Sequence, residues 1–135
     1  MAYKIFISHS SKDTWVAKQI EQHLQDCGAN TFLDAHDLFV GDIIQESIFD
    51  EHMPQSQEIL VLMTPSAFKS KYVFMEIGAA RVQKMRISVI LYGVGEDEVQ
   101  TEIKFPDVIS TRNFLEINQM DDYLRQLKQR LYEKY

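Results

Sequence analysis

Tyr3-Lys4-Ile5-Phe6-Ile7-Ser8, running into His9-Ser10-Ser11-Lys12-Asp13, is the stretch that decides the fold. The run over residues 3–8 is short and rich in β-branched and aromatic side chains, and the five residues after it form a polar turn cluster, so it reads as a buried strand whose C-terminal end collects polar groups. Over residues 14–26 the spacing becomes helical, with Val16, Ile20, Leu24 and Cys27 on one face. Ser11 or Asp13 can cap that helix and Gly28 stops it.

The alternation continues down the chain. A second strand is expected at Asn30–Leu33, then a polar loop over 34–41 and a helix from about Asp42 that carries Ile44, Ile48 and Met53 until Pro54 ends it. Glu58–Met63 reads as a third strand, broken by Thr64-Pro65-Ser66. A helix follows over 71–84, and a fourth apolar run over 87–92 is closed by Gly93 and Gly95. The stretch Glu96–Glu102 and the region around Pro106 read as a long loop or a short helix. A fifth strand is expected over 114–117, and a last helix, Met120–Lys134, sets Leu124, Leu127 and Leu131 on one face. Trp15 and the other aromatics are assigned to the core. Apolar strands alternating with helices imply a parallel sheet covered on both faces. The expected fold class is therefore α/β, a flavodoxin-like three-layer sandwich with strand order 2-1-3-4-5. Ligands in such folds sit beyond the carboxyl ends of the strands, near the switch point between strands 1 and 3.

Composition narrows the function classes. The chain has 135 residues, 45% of them hydrophobic and 25% charged, which is ordinary for one globular domain and argues against disorder; residues 1–135 are read as a single domain. A formal charge of −6 weighs against nucleic acid or an anionic membrane as the main partner. One cysteine, Cys27, cannot form an intramolecular disulfide, and no run approaches the length needed to span a bilayer, so a reducing cytoplasm is the expected setting.

Chemistry concentrates in Tyr72-Val73-Phe74-Met75-Glu76-Ile77-Gly78-Ala79-Ala80, where one carboxylate interrupts an otherwise apolar helix. Carboxylates are rarely buried unless paired or used. Tyr72, Glu76 and Ala80 share a face at four-residue spacing, so an aromatic ring and small residues that leave room for a ligand flank the acid. The hydroxyls of Ser8, Ser10 and Ser11 and the amides after them could hold phosphate or ribose oxygens, although ordinary capping explains such a cluster too. In the loop Asp34-Ala35-His36-Asp37-Leu38-Phe39-Val40-Gly41-Asp42, three aspartates surround an apolar triplet, which suggests a contact surface or lid. His9, His23, His36 and His52 lack metal-ligand spacing, so no metal site is expected. Gly93-Val94-Gly95 is no dinucleotide fingerprint, because Glu98 stands where the third glycine belongs. Receiver chemistry needs acids after strand 1, where this chain has Ser8 and His9.

Taken in order, the opening strand with its Ser-His-Ser-Ser-Lys-Asp continuation, the loop over 34–41, and Ser70-x-Tyr72-x-x-x-Glu76 resemble the Toll/interleukin-1 receptor (TIR) domain of the bacterial type over essentially the whole chain. The resemblance implies either a NAD-cleaving enzyme or an assembly module. In the enzymatic branch the glutamate at the place of Glu76 is catalytic. Tyr72 stands where many members have tryptophan, and Val73 departs from the small residue that often follows it. Candidate substrate-binding residues are Phe6, Ser8, His9, Ser10, Ser11, Asp37, Ser66 and Tyr72. Asp34, Leu38, Phe39, Val40 and Gly41 form the candidate assembly loop. NAD+ is then a substrate, no cofactor is needed, and the product is ADP-ribose or a cyclic isomer. Expected partners are further TIR domains and a fused or separate sensor, in immune or anti-phage signalling, since 135 residues are filled by the five-stranded unit. Two other readings stay open: a non-enzymatic TIR interaction module, and a nucleoside deoxyribosyltransferase, which Glu76-Ile77-Gly78 also resembles.

Overall fold

The structure, a computed structural model, describes residues 3–33, 53–102 and 114–134. Five parallel strands form one sheet in the order β2-β1-β3-β4-β5, as expected: β1 Lys4–Ser8, β2 Asn30–Leu33, β3 Glu58–Met63, β4 Arg86–Leu91 and β5 Phe114–Glu116. Four helices are described: α1 Thr14–Asp26, α2 Lys71–Val82, α3 Glu96–Glu102 and α4 Met120–Lys134. Most of the helix expected from Asp42, and the region around Pro106, lie outside the described residues; Met53, which that helix was expected to carry, is fully buried.

Strand periodicity sorts the core into two layers. Ile5 and Ile7 of β1 and Leu60 and Leu62 of β3 face α1 and α4, packing on Ala17, Ile20, Leu24 and Leu127. Their neighbours Phe6, Ile59, Val61 and Met63 face the other way, onto Val73, Ile77 and Ala80 of α2 and Val99 of α3. The connections leaving β1 and β3 therefore go to opposite faces, which opens a crevice at the carboxyl ends of these two strands. The edge strands β2 and β5 are less covered than the three central ones.

Trp15 corrects one expectation. It is 73% exposed rather than part of the core. At 100° per residue it points about 140° away from the centre of the stripe formed by Val16, Ile20 and Leu24, so no turn of α1 brings it to the sheet.

Helix ends reveal an asymmetry. Both α1 and α2 close with the same pair of backbone bonds: Gly28 N–H to Gln25 O at 2.9 Å with Ala29 N–H to Leu24 O at 3.2 Å, and Lys84 N–H to Arg81 O at 3.0 Å with Met85 N–H to Ala80 O at 3.0 Å. That closure needs a left-handed residue, supplied by Gly28 at φ 102° and by Lys84 at φ 57°. It also explains why α2 stops at Val82, short of the 71–84 span expected. Lys84→Gly should stabilise the fold by about 1 kcal/mol by removing a Cβ from this conformation. Urea titration of the two proteins checks it.

A second buried carboxylate, unremarked in the sequence, closes the opposite end of the sheet. Glu58 has no solvent exposure and accepts from Tyr3 Oη at 2.6 Å, Tyr123 Oη at 2.6 Å, Ser88 Oγ at 3.2 Å and Arg130 Nη2 at 2.8 Å. Burial pushes the Tyr3 phenol up to about 12, with the Glu58 charge acting in the same direction, and holds Tyr123 well above its usual range for the same two reasons. Both phenols thus keep their protons to higher pH in the folded state than in the unfolded chain, where tyrosine ionises near ~10. Stability from this cluster should be complete below pH ~10 and fall as pH rises toward ~12. Denaturant midpoints measured across that range test this, and Tyr3→Phe should flatten the fall.

Candidate active site

Glu76 lies in the second turn of α2. That helix starts where it does because Ser70 caps it, its hydroxyl accepting from Val73 N–H at 3.3 Å. With Ser70 at the cap, Tyr72 and Glu76 fall one turn apart, and Glu76 turns inward with Val73, Ile77 and Ala80. It is 1% exposed. Ser8, at the end of β1, shares the pleat face of Phe6 and so points to the α2 side of the sheet. Its hydroxyl donates to Glu76 Oε1 at 2.7 Å. Strand parity and helix phase together bring a hydroxyl and a carboxylate 68 residues apart into direct contact at the switch-point crevice.

The turn after β1 is built from short polar contacts. His9 is fully buried, with Nε2 at 3.5 Å from Thr14 Oγ1. Ser10 Oγ accepts from Lys12 N–H at 3.3 Å and caps a 3-10 turn over Ser11–Asp13. Thr14 Oγ1 donates to Ser11 O at 2.8 Å. Asp13 occupies the N-cap position of α1 but makes no capping bond; its carboxylate instead accepts from Thr64 Oγ1 at 2.5 Å, across to the segment that follows β3.

The family described as TIR domain matches residues 5–131. This chain belongs to that family. A Brucella abortus protein named "Probable 2' cyclic ADP-D-ribose synthase TcpB" is 31% identical over 103 residues, which cover 73% of this chain and 41% of the Brucella protein. The match therefore spans less than half of that relative's length. Among solved structures, the TIR domain of the Toll-related receptor TRR-2 from Hydra magnipapillata superposes with a TM-score of 0.67 at 21% identity, covering 94% of this chain and 99% of that one. The RPS4 and RRS1 TIR domain heterodimer gives a TM-score of 0.66 at 12% identity, covering 98% and 97%. At these identities both structures speak to the fold.

Within this TIR domain the expected site residues separate into groups. Ser8, His9, Ser10 and Glu76 are all buried: Ser8 meets Glu76 on α2, whereas His9 lies against Thr14 at the start of α1 and Ser10 caps the turn that leads into it. Tyr72 is half-buried one turn before Glu76, and Ser11 is exposed. Ser66 is half-buried ahead of the 3-10 turn Ala67–Lys69, to which its carbonyl bonds. Phe6, expected to bind substrate, belongs instead to the core, fully buried and stacked on Phe32 with ring centroids 5.3 Å apart. Ala80 likewise packs in the core instead of leaving room beside the acid. Asp34, Asp37, Leu38, Phe39, Val40 and Gly41 lie outside the described residues. The sequence marks Asp13 only as a cap candidate and Thr64 only as part of a strand break, and gives neither a place at the site. The available signal was a second cap candidate, Ser11, beside Asp13 at the end of a strand. No helix among the described residues is long and apolar enough to cross a membrane.

Proposed function

We propose that this TIR domain cleaves the bond between nicotinamide and ribose in NAD+, with Glu76 as the catalytic residue. The observation that carries the reading is a buried carboxylate at the carboxyl ends of β1 and β3, oriented by the Ser8 hydroxyl at 2.7 Å, in a chain of this family. The name of the Brucella relative supports the same substrate class.

The chemistry suits a single acid. Nicotinamide in NAD+ is already cationic, so the C–N bond can break with its electron pair leaving on a neutral base and no proton donor is required. The sugar left behind carries oxocarbenium-like positive charge, which a fixed carboxylate in a low-dielectric site stabilises. Water then adds and loses a proton to give ADP-ribose, or a nucleophile within the same molecule closes a cyclic isomer. Ser8 would hold Glu76 in one orientation, and the polar residues 9–11 would face the ribose and phosphates.

Homotypic association completes the proposal, through the apolar triplet Leu38, Phe39 and Val40. The existence of a TIR–TIR heterodimer in the same fold supports association between such domains. Concentrated protein incubated with NAD+ should release nicotinamide, followed by chromatography, with turnover per molecule rising with protein concentration. Phe39→Asp should remove that rise. If turnover per molecule stays flat in both proteins, assembly plays no part. If no release occurs at any concentration, the interaction-module reading takes its place.

A further inference from the structure

We propose that Asp13 is a positioning residue for Glu76: through Thr64 it ties the turn after β1 to the segment leading into α2, and so fixes the approach of Ser8 to the carboxylate. The inference rests on the proposed NAD+ cleavage for its meaning in turnover, but its geometry stands by itself.

Ser8 and Val61 are paired neighbours on β1 and β3, so the two chain segments leaving these strands start side by side. They are then joined at two points. One is Ser8 to Glu76 at 2.7 Å, and the other is Thr64 to Asp13 at 2.5 Å. Thr64 is 3% exposed, and its hydroxyl also accepts from Ala67 N–H at 3.1 Å, which holds the 3-10 turn just ahead of α2. The result is a closed ring: Ser8, the turn to Asp13, Thr64, the turn at Ala67, α2 and Glu76.

The turn between Ser8 and Asp13 is stiff enough to transmit a displacement. Ser10 accepts from Lys12 N–H, Asp13 N–H bonds to Ser10 O at 2.9 Å, and Thr14 donates to Ser11 O. Asp13 holds φ −109° and ψ 19°, outside the extended conformation in which an N-cap side chain turns back to the helix amides, so its carboxylate makes no capping bond and spans to Thr64 instead. Cutting the tie frees one side of the ring, and loss of alignment by a fraction of an ångström to 1 Å is the kind of change that lowers turnover without unfolding the protein.

Asp13→Ala and Thr64→Val break the tie, whereas Asp13→Asn and Thr64→Ser keep an acceptor and a hydroxyl in place. At saturating NAD+ the first pair should lose turnover by about tenfold to a hundredfold with little change in KM, and the second pair should stay close to the parent. Independently of activity, the Glu76 carboxyl carbon resonance, recorded by NMR in protein labelled at glutamate, should move in Asp13→Ala and Thr64→Val toward its position in Ser8→Ala. It should stay put in Asp13→Asn and Thr64→Ser. An unmoved Glu76 resonance in Thr64→Val overturns the proposal, whatever happens to turnover. If the parent protein releases no nicotinamide, that result bears on the proposed function, and the resonance alone decides the role of Asp13.

Discussion

Glu76→Gln is expected to lower nicotinamide release from NAD+ by at least about a hundredfold, the scale on which removal of one aligned charge-stabilising group acts. The substitution is nearly isosteric, and the amide oxygen can still accept from Ser8, so the 2.7 Å contact survives while the charge is lost. Folding should not suffer. A buried carboxylate is costly to desolvate, and a neutral amide in its place should leave the melting temperature unchanged or higher. The informative pattern is therefore loss of turnover with retained stability, read from chromatography and a thermal melt on the same preparations. Glu76→Ala adds a cavity and lowers both. Turnover that survives Glu76→Gln would move the catalytic assignment to another residue.

Arg130→Met is expected to be the most destabilising single change at the far end of the sheet, by about 3 kcal/mol. Arg130 is the cation paired with Glu58, at 2.8 Å, and its guanidinium also lies 5.6 Å from the Tyr123 ring. Methionine keeps the apolar stem but leaves a fully buried carboxylate with only neutral donors. The figure sits at the lower end of the usual range because the Arg130 side chain retains 16% of its exposure, so water can compensate in part. Glu58→Gln combined with Arg130→Met should recover much of the loss, because a neutral amide keeps an acceptor oxygen for one of the two tyrosines and can donate its NH2 to the phenol oxygen of the other, without needing a counter-charge. Equal destabilisation in the single and double variants would show that Arg130 acts through packing and not through its charge. Urea midpoints for parent, single and double variants decide between these.

The two carboxylates differ in how plainly the sequence announced them. Glu76 interrupts a run of apolar and aromatic residues inside one helix, a local anomaly visible without any fold. Glu58 opens a strand, where a charged first residue is unremarkable. Its burial follows from parity: Tyr3 with Ile5 and Ile7, Glu58 with Leu60 and Leu62, and Ser88 with Ile90 all face the side covered by α4. Tyr123, Leu127 and Arg130 then share a helical face that lies across them. Each alternation was legible singly, but nothing local says that three strand ends and one helix meet at a point. Trp15 failed for the opposite reason: a large aromatic was assigned by type, when its phase on α1 already pointed it outward.

Periodicity alone determined the order of elements, the strand order 2-1-3-4-5 and the end of the sheet at which chemistry should gather, because burying one face of every helix and both faces of a parallel sheet leaves few other arrangements. The resemblance to TIR domains rested on motifs equally local. Tertiary structure decided the partners: Ser8 with Glu76, Asp13 with Thr64, and Tyr3, Ser88, Tyr123 and Arg130 with Glu58. These contacts join residues 30 to 72 positions apart. The physical reason is that a side chain's face is set by its own element, whereas its partner is set by strand register and by where a helix crosses the sheet, and only the packing of the whole core fixes those.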